Sequence, residues 1–395
     1  MQTLINQNFS NRRAVVRVDF NVPLDDQFQV TDSTRITAAK ETIDYIINQG
    51  GSCVLISHLG RPKGKDPKLS LSHIVSKVEE ILQVPVNFFD DCIGVAAEQA
   101  AASIASGTVI LMENLRFYKE ETAGDLDFAE GLSKLGDCYV NDAFGTAHRA
   151  HASTTIIAQF FKEDKFFGRL LEKEVNAIEK VMESGEKPVL AILGGAKVSS
   201  KITIIENLLD KIDHLIIGGG MVYTFVKAKG GGVGRSICED DYCDYALELL
   251  EKAKAKGVQV HLPVDVIIAE DFSNDANQKI CKVGEIPNDW EGLDAGPQTL
   301  KNFEDIVMQS KTILWNGPLG VFEFENFSSG TVTLGEHIGK STAAGAFSLV
   351  GGGDSVAAVK QFGLEDKMSY ISTGGGAMLE SLEGKTLPGI TALME

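Results

Sequence analysis

The sequence lacks the features that mark several large classes of protein. Its six cysteines form no CxxC pair, which argues against a structural zinc or disulfide framework and predicts reduced, mostly buried thiols. No stretch of about 18 uninterrupted apolar residues occurs, and residues 1–13 have no apolar signal-peptide core. We therefore expect a soluble, cytoplasmic protein without a membrane-spanning segment.

Positive charge is also scarce. The chain has 37 lysines and arginines against 55 acidic residues, a net charge of −18 and a pI near 4.9. The resulting field repels polyanions, so neither nucleic acid nor an anionic membrane is expected as a partner. An anionic ligand must then be bound by a local basic cluster. The chain has nine arginines and none follows Arg235, so such a cluster belongs in the first half of the chain.

Apolar runs alternate with helical patterns along the chain. The runs are nearly continuous in hydrophobicity, which is typical of parallel strands buried on both faces. They lie at 14–22, 52–60, 108–116 and 138–145 in a first series, and at 187–195, 214–221, 258–270, 311–320, 347–355 and 368–376 in a second. Between two of them, the apolar residues of 70–83 share one helix face: Leu71, Ile74, Val78, Ile81 and Leu82.

The length and this alternation predict two domains. Residues 168–185 separate the two series and carry an apolar helical stripe made of Leu171, Val175, Ile178 and Met182. We therefore predict an α/β fold of two Rossmann-like lobes, each a parallel sheet flanked by helices, joined by a linking helix with a hinge. The apolar tail after residue 381 is expected to pack, but its pattern does not assign it to a lobe.

Ligands of open α/β sheets bind beyond the carboxyl ends of the strands. In the first series these ends carry RVDFNVP, SHLGRP, ENLRF and AFGTAHRAHAS, with Arg35 soon after the first of them. Each loop alone is compatible with a solvated basic surface. Four such loops at one sheet edge favour an anion pocket, because arginine makes bidentate contacts to phosphate or carboxylate.

The strand ends of the second series are rich in glycine instead: GGAKVSSK, GGGM, NGPLG, GGGDS and TGGGA. Ordinary turns explain any one of them, whereas five together favour a nucleotide site, where backbone N–H groups approach phosphate oxygens. Two other signatures are absent. GEHIGKS at 335–341 has the wrong glycine spacing for a P-loop, and no GxGxxG occurs. A basic pocket on one lobe and a nucleotide site on the other describe a small-molecule kinase.

These motifs, together with WNGPLGVFE, closely resemble those of the phosphoglycerate kinases, in the same order and across essentially the whole chain. The resemblance implies reversible phosphoryl transfer from 1,3-bisphosphoglycerate to MgADP, giving 3-phosphoglycerate and MgATP, as in glycolysis and gluconeogenesis. It implies no nucleic-acid or membrane partner, Mg²⁺ as the cofactor, and we expect a monomer. It also implies that the C-terminal segment returns to the first lobe, so we predict lobes at 1–167 with 379–395 and at 186–378, and the linking helix at 168–185.

The resemblance also assigns residues. Those that match phosphoglycerate binding are Asp19, Asn21, Arg35, His58, Leu59, Gly60, Arg61, Arg116, His148 and Arg149. Those that match nucleotide binding are Gly194, Ala196, Lys197, Lys201, Gly218, Asn316, Pro318, Glu323, Gly351, Gly352, Gly353, Asp354 and Ser355, with Asp354 also at the metal. Those expected to stabilise the transferring phosphoryl group are Arg35, Lys197, Lys201, Gly352 and Gly375.

One position departs from the family pattern. Ser200 stands where the family commonly has aspartate, in GGAKVSDK. Loss of that carboxylate affects the pairing of the neighbouring lysines, although both lysines are retained. A non-catalytic sensor that kept both pockets is the alternative function, and Lys197, Lys201 and Asp354 argue against it, because a protein that only binds has no need of a charged transfer path.

Overall fold

The computed structural model describes residues 2–395, whose contacts divide them into two compact units. Unit 1 comprises the residues up to Val175 together with Thr386–Glu395, and unit 2 comprises Asn176–Lys385. Each unit contains one six-stranded parallel sheet with helices around it. The predicted α/β fold with two parallel sheets is therefore confirmed.

Unit 1 is built on a sheet in the order β3-β4-β2-β1-β5-β6. Its strands are β1 (Arg13–Val18), β2 (Ser52–Ile56), β3 (Val86–Phe89), β4 (Val109–Met112), β5 (Cys138–Asp142) and β6 (Lys165–Phe167). All five residues of β2 and of β5 are buried, as expected for strands covered on both faces. The helices of this unit are Thr34–Asn48, Val75–Leu82, Val95–Ala102, Lys119–Ala123, Leu126–Ser133 and Pro388–Met394.

Unit 2 holds the remaining strands. They are β7 (Val189–Leu193), β8 (His214–Ile217), β9 (Gly232–Val233), β10 (Gln259–His261), β11 (Asp265–Ala269), β12 (Gln278–Lys282), β13 (Glu285–Ile286), β14 (Glu291–Ala295), β15 (Thr312–Asn316), β16 (Phe347–Val350) and β17 (Tyr370–Ile371). The parallel sheet has the order β10-β8-β7-β15-β16-β17. The helices are Ile202–Leu208, Val222–Ala228, Cys243–Ala255, Pro297–Gln309, Ser329–Ala343, Gly353–Gln361 and Gly376–Leu382.

Both sheets contain a point where the strand order reverses. In unit 1, β1 pairs with β2 on one side and with β5 on the other. In unit 2, β7 pairs with β8 on one side and with β15 on the other. At such a point the loops that leave two adjacent strands diverge to opposite faces and leave a crevice. The two crevices therefore lie beyond Val18 and Asp142, and beyond Leu193 and Asn316.

The prediction of one strand over 258–270 is wrong. The run divides at Pro263 into β10, in the parallel sheet, and β11, in an antiparallel sheet with β12 and β14. Proline has no N–H group to donate to a continuing parallel ladder, and its fixed φ turns the chain. The short strands β3 and β6 are also additions to the predicted set.

The predicted linking helix is present as Arg169–Met182. Its apolar stripe is buried, with Leu171 fully covered and Val175, Ile178 and Met182 each at most 8% exposed. The limit between the units falls within this helix, after Val175, and the second limit falls after residue 385. The sequence predicts that the first lobe ends at residue 167, before the linking helix at 168–185, and resumes at residue 379. Within unit 2 the helix Gly376–Leu382 is held by Asn207, whose Nδ2 donates to the Leu382 carbonyl at 2.7 Å.

The C-terminal helix Pro388–Met394 packs within unit 1. The N–H of Gly389 donates to the Ala147 carbonyl at 2.9 Å. A Cβ at Gly389 would lie 3.0 Å from the Cα of Ala147, so the absence of a side chain permits this approach. None of the described helices is both long enough and apolar enough to cross a membrane.

The core of unit 2 generates a stability test. Leu334 is fully buried in the core between the helix Ser329–Ala343 and the sheet, whereas Leu247 on the helix Cys243–Ala255 is 40% exposed. Replacing Leu334 with alanine should lower the free energy of unfolding of unit 2 by about 2–5 kcal/mol, because transfer and cavity terms add. Leu247→Ala changes helix propensity by the same amount as Leu334→Ala, but it should lower the free energy of unfolding by less than about 1 kcal/mol.

Urea unfolding followed by tryptophan fluorescence measures this difference. Both tryptophans, Trp290 and Trp315, belong to unit 2, so their emission reports on that unit. Equal effects of the two substitutions would contradict the assignment of Leu334 to the core.

Candidate active site

The cationic side chains of unit 1 lie on the loops that follow its strands. Asp19 and Asn21 come directly after β1, His58 to Arg61 after β2, Arg116 after β4, and His148 with Arg149 after β5. Arg35 lies in the first turn of the helix Thr34–Asn48. The carboxyl ends of parallel strands meet at one sheet edge, so the predicted residues are brought to the same side of unit 1.

Asp19, Asn21 and Arg35 form one connected group at that edge. Nη1 of Arg35 lies 3.1 Å from Asp19 Oδ2 and donates to the Asn21 carbonyl at 3.0 Å. The Asn21 side chain in turn accepts from the Gly60 N–H at 2.8 Å. Asp19 is 8% exposed, whereas about a third of the Arg35 side chain is exposed. Arg35 is therefore oriented by its neighbours and retains surface for a ligand.

His58 is buried among positive charges. Its Nδ1 lies 3.3 Å from Nη2 of Arg17 and 3.9 Å from Asp19 Oδ1. Burial is the main cause that holds the pKa of His58 well below its usual range, and Arg17, Arg116 and Arg35 add to it. The imidazole is consequently neutral at physiological pH, where it donates or accepts hydrogen bonds without adding charge.

Arg61, Arg116 and Arg149 line a cavity of about 540 Å³, together with Lys63 and Lys119. Arg116 donates to the Gly60 carbonyl at 2.7 Å. Burial, then the charges of Arg17 and Arg149, lower the pKa of Arg116 to about 10. Arginines that repel one another in this way favour binding of an anion, which relieves the repulsion.

His148 is placed one residue away from this wall. Nε of Arg149 donates to its Nε2 at 3.2 Å, and Arg149, not His148, lines the cavity. Leu59 is buried, and its N–H and carbonyl both bond to the side chain of Asn114. Leu59 thus holds the loop of His58 in place and offers little side-chain surface of its own.

A buried polar network behind the pocket was not predicted from the sequence. Arg17 is 1% exposed, and its Nε donates to Ser153 Oγ at 2.8 Å. Ser153 Oγ donates to Glu121 Oε1 at 2.6 Å, and Glu121 is fully buried. His151 lies 3.8 Å from the same carboxylate, and burial with the nearby arginines lowers its pKa to about 4. A buried cation and anion are thereby joined through a serine.

In unit 2 the glycine loops meet at the strand-order reversal between β7 and β15. A Cβ at Gly194 would lie 2.1 Å from the Pro318 carbonyl oxygen, so only glycine permits the two loops to approach so closely. Beside them is a cavity of about 420 Å³, which is the size of a small ligand site. Four of the residues predicted to bind nucleotide line it: Ala196, Pro318, Glu323 and Asp354.

Lys201, which was predicted to stabilise the transferring phosphoryl group, lies beside the loops of this cavity. Lys201 Nζ donates to Oδ1 of Asn316, whose Nδ2 donates to the Gly351 carbonyl at 2.7 Å. Burial lowers the pKa of Lys201, and the carboxylate of Asp354 opposes that shift. Ser355 Oγ accepts from the Gly317 N–H at 2.5 Å. The loops after β7, β15 and β16 are therefore joined around one cationic side chain.

Other predicted residues lie near the cavity without lining it. Lys197 is exposed on the loop after β7, and Gly218 lines a much smaller neighbouring cavity. Gly352 and Gly375 precede the first turns of two helices with φ of +92° and +49°, and Gly353 begins the first of these helices. Their N–H groups lie at helix N-termini, which favour anions.

The apolar wall of the cavity was missed by the sequence analysis. It comprises Tyr223, Ile237, Phe272, Leu293, Leu319 and Phe322. Two of these apolar side chains are exposed, Phe272 at 61% and Ile237 at 43%, and that exposure is a structural signal. An apolar slot with phosphate-binding loops at one end fits a planar base with a polyanionic tail.

The residues at the cavity also fit Mg²⁺ bound with a nucleotide. Asp354 is an exposed carboxylate in the first turn of Gly353–Gln361 and lines the cavity. Mg²⁺ takes one or two protein carboxylates, with phosphate and water oxygens completing its shell. One carboxylate beside the phosphate loops meets that requirement.

Comparisons with known proteins identify the family and support the two-unit α/β fold. The family model described as phosphoglycerate kinase matches residues 4–385. A phosphoglycerate kinase of Porphyromonas gingivalis is 54% identical, covering 99% of both chains, and the cytosolic enzyme of Nicotiana tabacum is 51% identical, covering 99% of this chain and 97% of its own. The solved structure of phosphoglycerate kinase from Coxiella burnetii superposes with a TM-score of 0.91 at 41% identity, covering 99% of this chain and 98% of its own. The chain belongs to the phosphoglycerate kinase family.

Proposed function

We propose that this protein catalyses reversible phosphoryl transfer between the acyl phosphate of 1,3-bisphosphoglycerate and ADP, giving 3-phosphoglycerate and ATP. The observation that carries the proposal is the separation of two complementary sites at equivalent places in two sheets. Arginines on the loops that follow β2, β4 and β5 line a cavity at the carboxyl ends of the strands of unit 1, and the glycine loops that follow β7, β15 and β16 lie beside Lys201 at the carboxyl ends of the strands of unit 2.

Unit 1 is proposed to bind phosphoglycerate. Arg61, Arg116 and Arg149 supply positive charge for its phosphate; burial is the main cause that lowers the pKa of Arg116, and a bound phosphate offsets the smaller contribution from the neighbouring arginines. Asp19 and Asn21 offer acceptors for a hydroxyl and also hold Arg35 in place. Arg35 then stabilises the charge that develops on the transferring group.

The reaction requires no general base on the attacking oxygen. In the direction of ATP consumption, the nucleophile is a carboxylate, which has no proton to lose. His58 is buried and neutral, so its contribution is to orient the substrate and Arg17. Catalysis depends instead on positioning and on positive charge around a loose transition state.

Unit 2 is proposed to bind the nucleotide. The apolar slot takes the base, Glu323 bonds the ribose, and the loops at 194–201 and 351–355 surround the phosphates. Lys197 and Lys201 stabilise the phosphoryl group, and Asp354 would hold Mg²⁺. When bound, Mg²⁺ neutralises phosphate charge. Asp354 also keeps Lys201 cationic against the effect of burial.

Compartment and assembly are part of the same proposal. We infer a cytoplasmic location, because relatives from tobacco and wheat are named cytosolic, although those from Volvox carteri and others are named chloroplastic. The monomer stays an expectation from the sequence. Sedimentation of the purified chain measures its mass in solution, and fractionation of the source cells locates it. Coupled measurement of ATP formation from 1,3-bisphosphoglycerate and MgADP tests the activity itself, and pure binding without turnover would favour the sensor.

Arg35 supplies the first kinetic test. Arg35→Ala should reduce turnover by about 10³-fold, because a cation that stabilises the transferring group is removed. The KM for the nucleotide should hardly change. Arg13, which pairs with Asp137 on the surface of unit 1, is the matched control, and Arg13→Ala should leave turnover within about twofold of the unsubstituted enzyme. Turnover within a few-fold in Arg35→Ala would remove Arg35 from the transfer step.

Asp354 supplies the second kinetic test. Asp354→Asn should raise the Mg²⁺ concentration required for half-maximal rate by at least about tenfold, the size of effect typical of lost metal-site interactions. The KM for 3-phosphoglycerate should stay the same. Asp366 is exposed on a turn of unit 2 away from the cavity, so Asp366→Asn serves as the control. An unchanged Mg²⁺ dependence would exclude Asp354 from metal binding.

Hinge closure stays a prediction. Phosphoryl transfer requires reacting atoms within roughly 3–3.5 Å, and the two substrates are proposed to bind different units. Small-angle scattering should therefore give the smallest radius of gyration when 3-phosphoglycerate and nucleotide are both present. Identical profiles in the free, singly and doubly liganded states would exclude closure about the helix Arg169–Met182.

A further inference from the structure

A cluster of soft ligands lies outside the proposed active site. In the segment CEDDYC, residues 238–243, the donor atoms of Cys238, Asp240 and Cys243 lie within 4.8 Å of one another. Both cysteines are free and partly exposed, and Asp240 is exposed. We call residues 238–243 the 238–243 loop. Its ligands come from positions i, i+2 and i+5 of a single turn, so no other part of the fold has to assemble them.

The ends of the loop are fixed by secondary structure. Cys238 Sγ contacts the Tyr223 carbonyl at 3.8 Å, and Cys243 Sγ contacts the Thr224 carbonyl at 3.8 Å. Cys243 is also the first residue of the helix Cys243–Ala255. Both sulfur atoms are thereby held beside the helix Val222–Ala228, on the same side of the loop.

A cation already lies at this cluster. The ammonium group of Lys227 bonds both carboxylate oxygens of Asp240 at 2.8 Å. The three ligand atoms therefore surround a position that favours positive charge. The Lys227 side chain is exposed, so another cation can displace its ammonium group from Asp240.

We propose that Cys238, Asp240 and Cys243 form a binding site for a thiophilic divalent cation of the Zn²⁺ class. Two sulfur ligands and one carboxylate are a donor set that suits Zn²⁺ and not Mg²⁺. Zinc–sulfur bonds of about 2.3 Å place tetrahedral sulfur ligands about 3.8 Å apart. The loop needs to contract by about 1 Å at most, and water completes the shell.

Binding exchanges protons for metal. Zn²⁺ displaces one proton from each thiol and the ammonium of Lys227 from Asp240, so each ion bound releases two protons to solvent. This site differs from the structural zinc framework that the sequence argued against, because its three ligands come from one surface segment and cross-link no distant parts of the chain.

The loop is connected to the proposed nucleotide site through Glu239. Glu239 lies between two of the ligands and accepts from Ser199 twice, from the N–H at 3.0 Å and from Oγ at 2.6 Å. Its own N–H donates to Thr224 Oγ1 at 3.1 Å. Ser199 belongs to the loop that carries Lys197 and Lys201. A metal that fixes residues 238 and 240 also fixes Glu239, and through it the nucleotide loop.

Direct binding is the first test. Reduced, Mg²⁺-containing enzyme is titrated with Zn²⁺ by calorimetry in buffers of different ionisation enthalpy, and Co²⁺ serves as an absorbance probe of thiolate ligation. We expect one site, release of about two protons and thiolate-to-cobalt absorption. Cys243→Ser should weaken binding by more than about tenfold. Cys281→Ser changes a partly exposed cysteine outside the cluster and should have no effect.

A substitution of Lys227 should change the affinity for Zn²⁺ in the opposite direction. Lys227→Gln removes the competing ammonium and should tighten Zn²⁺ binding several-fold, since a like charge beside the ion is lost. Absence of a site in reduced enzyme, equal loss in Cys243→Ser and Cys281→Ser, or weaker binding by Lys227→Gln would each overturn the proposal. A Cys238–Cys243 disulfide found by mass spectrometry, with no metal binding after reduction, would also overturn it in favour of a redox pair.

The second readout rests on the proposed function. One equivalent of Zn²⁺ in the presence of excess Mg²⁺ should lower the KM for the nucleotide and leave the KM for 3-phosphoglycerate unchanged, because preordering the nucleotide loop reduces the cost of binding. Cys243→Ser should abolish this effect. Zn²⁺ binding with an unchanged or raised nucleotide KM would overturn the coupling through Glu239. An inactive enzyme that still binds Zn²⁺ would count against the proposed function and leave the metal site standing.

Discussion

The arrangement of both sites depends on the parallel pairing of strands at two points of order reversal. In unit 1, Val18 of β1 pairs with Asp142 of β5, and the chain leaves both strands toward the same edge. In unit 2, Leu193 of β7 pairs with Asn316 of β15 in the same way. Parallel hydrogen bonding fixes the register of each pair, so the loops that follow are placed within contact distance before any ligand binds. Because of this constraint, residues that are distant in sequence meet at one site. Asn316, the last residue of β15, bonds Lys201 on the loop after β7 because β7 and β15 are adjacent in the sheet.

The electrostatics of unit 1 illustrate how positive charge is maintained in an acidic protein. Arg17 is almost completely buried, and an unpaired buried guanidinium would be strongly destabilising. Its hydrogen bond to Ser153, which itself donates to Glu121, supplies the compensation. Because that compensation lies behind the pocket, the charge in front of it is not neutralised. Burial is the main cause that lowers the pKa of Arg116, and the charges of Arg17 and Arg149 add to it.

The sequence predicted well those features that are encoded locally. Apolar runs buried on both faces are recognisable in the sequence, and the residues after them, such as Arg116 and Asp354, lie where a strand end places them. Arg17 was missed because it lies inside the run of β1, where neighbouring side chains are core residues, and only the fold shows Ser153 beside it. Phe272 was missed for a different reason: it follows β11, which belongs to the antiparallel sheet, where the strand-end rule for parallel sheets does not apply.

Ser200 shows how a departure from the family pattern is accommodated. Its hydroxyl donates to the Lys197 carbonyl at 2.8 Å and holds the turn, so the residue closes the loop without a charge. Lys201 finds its partners elsewhere, in Asn316 and Asp354. For Lys197 the nearby carboxylate is Glu239. Burial opposes its ionisation, but hydrogen bonds from Ser199 and the charge of Lys197 lower the pKa of Glu239. A carboxylate from the 238–243 loop thus lies near Lys197, one of the two lysines on either side of Ser200, and the same side chain connects that loop to the proposed nucleotide site.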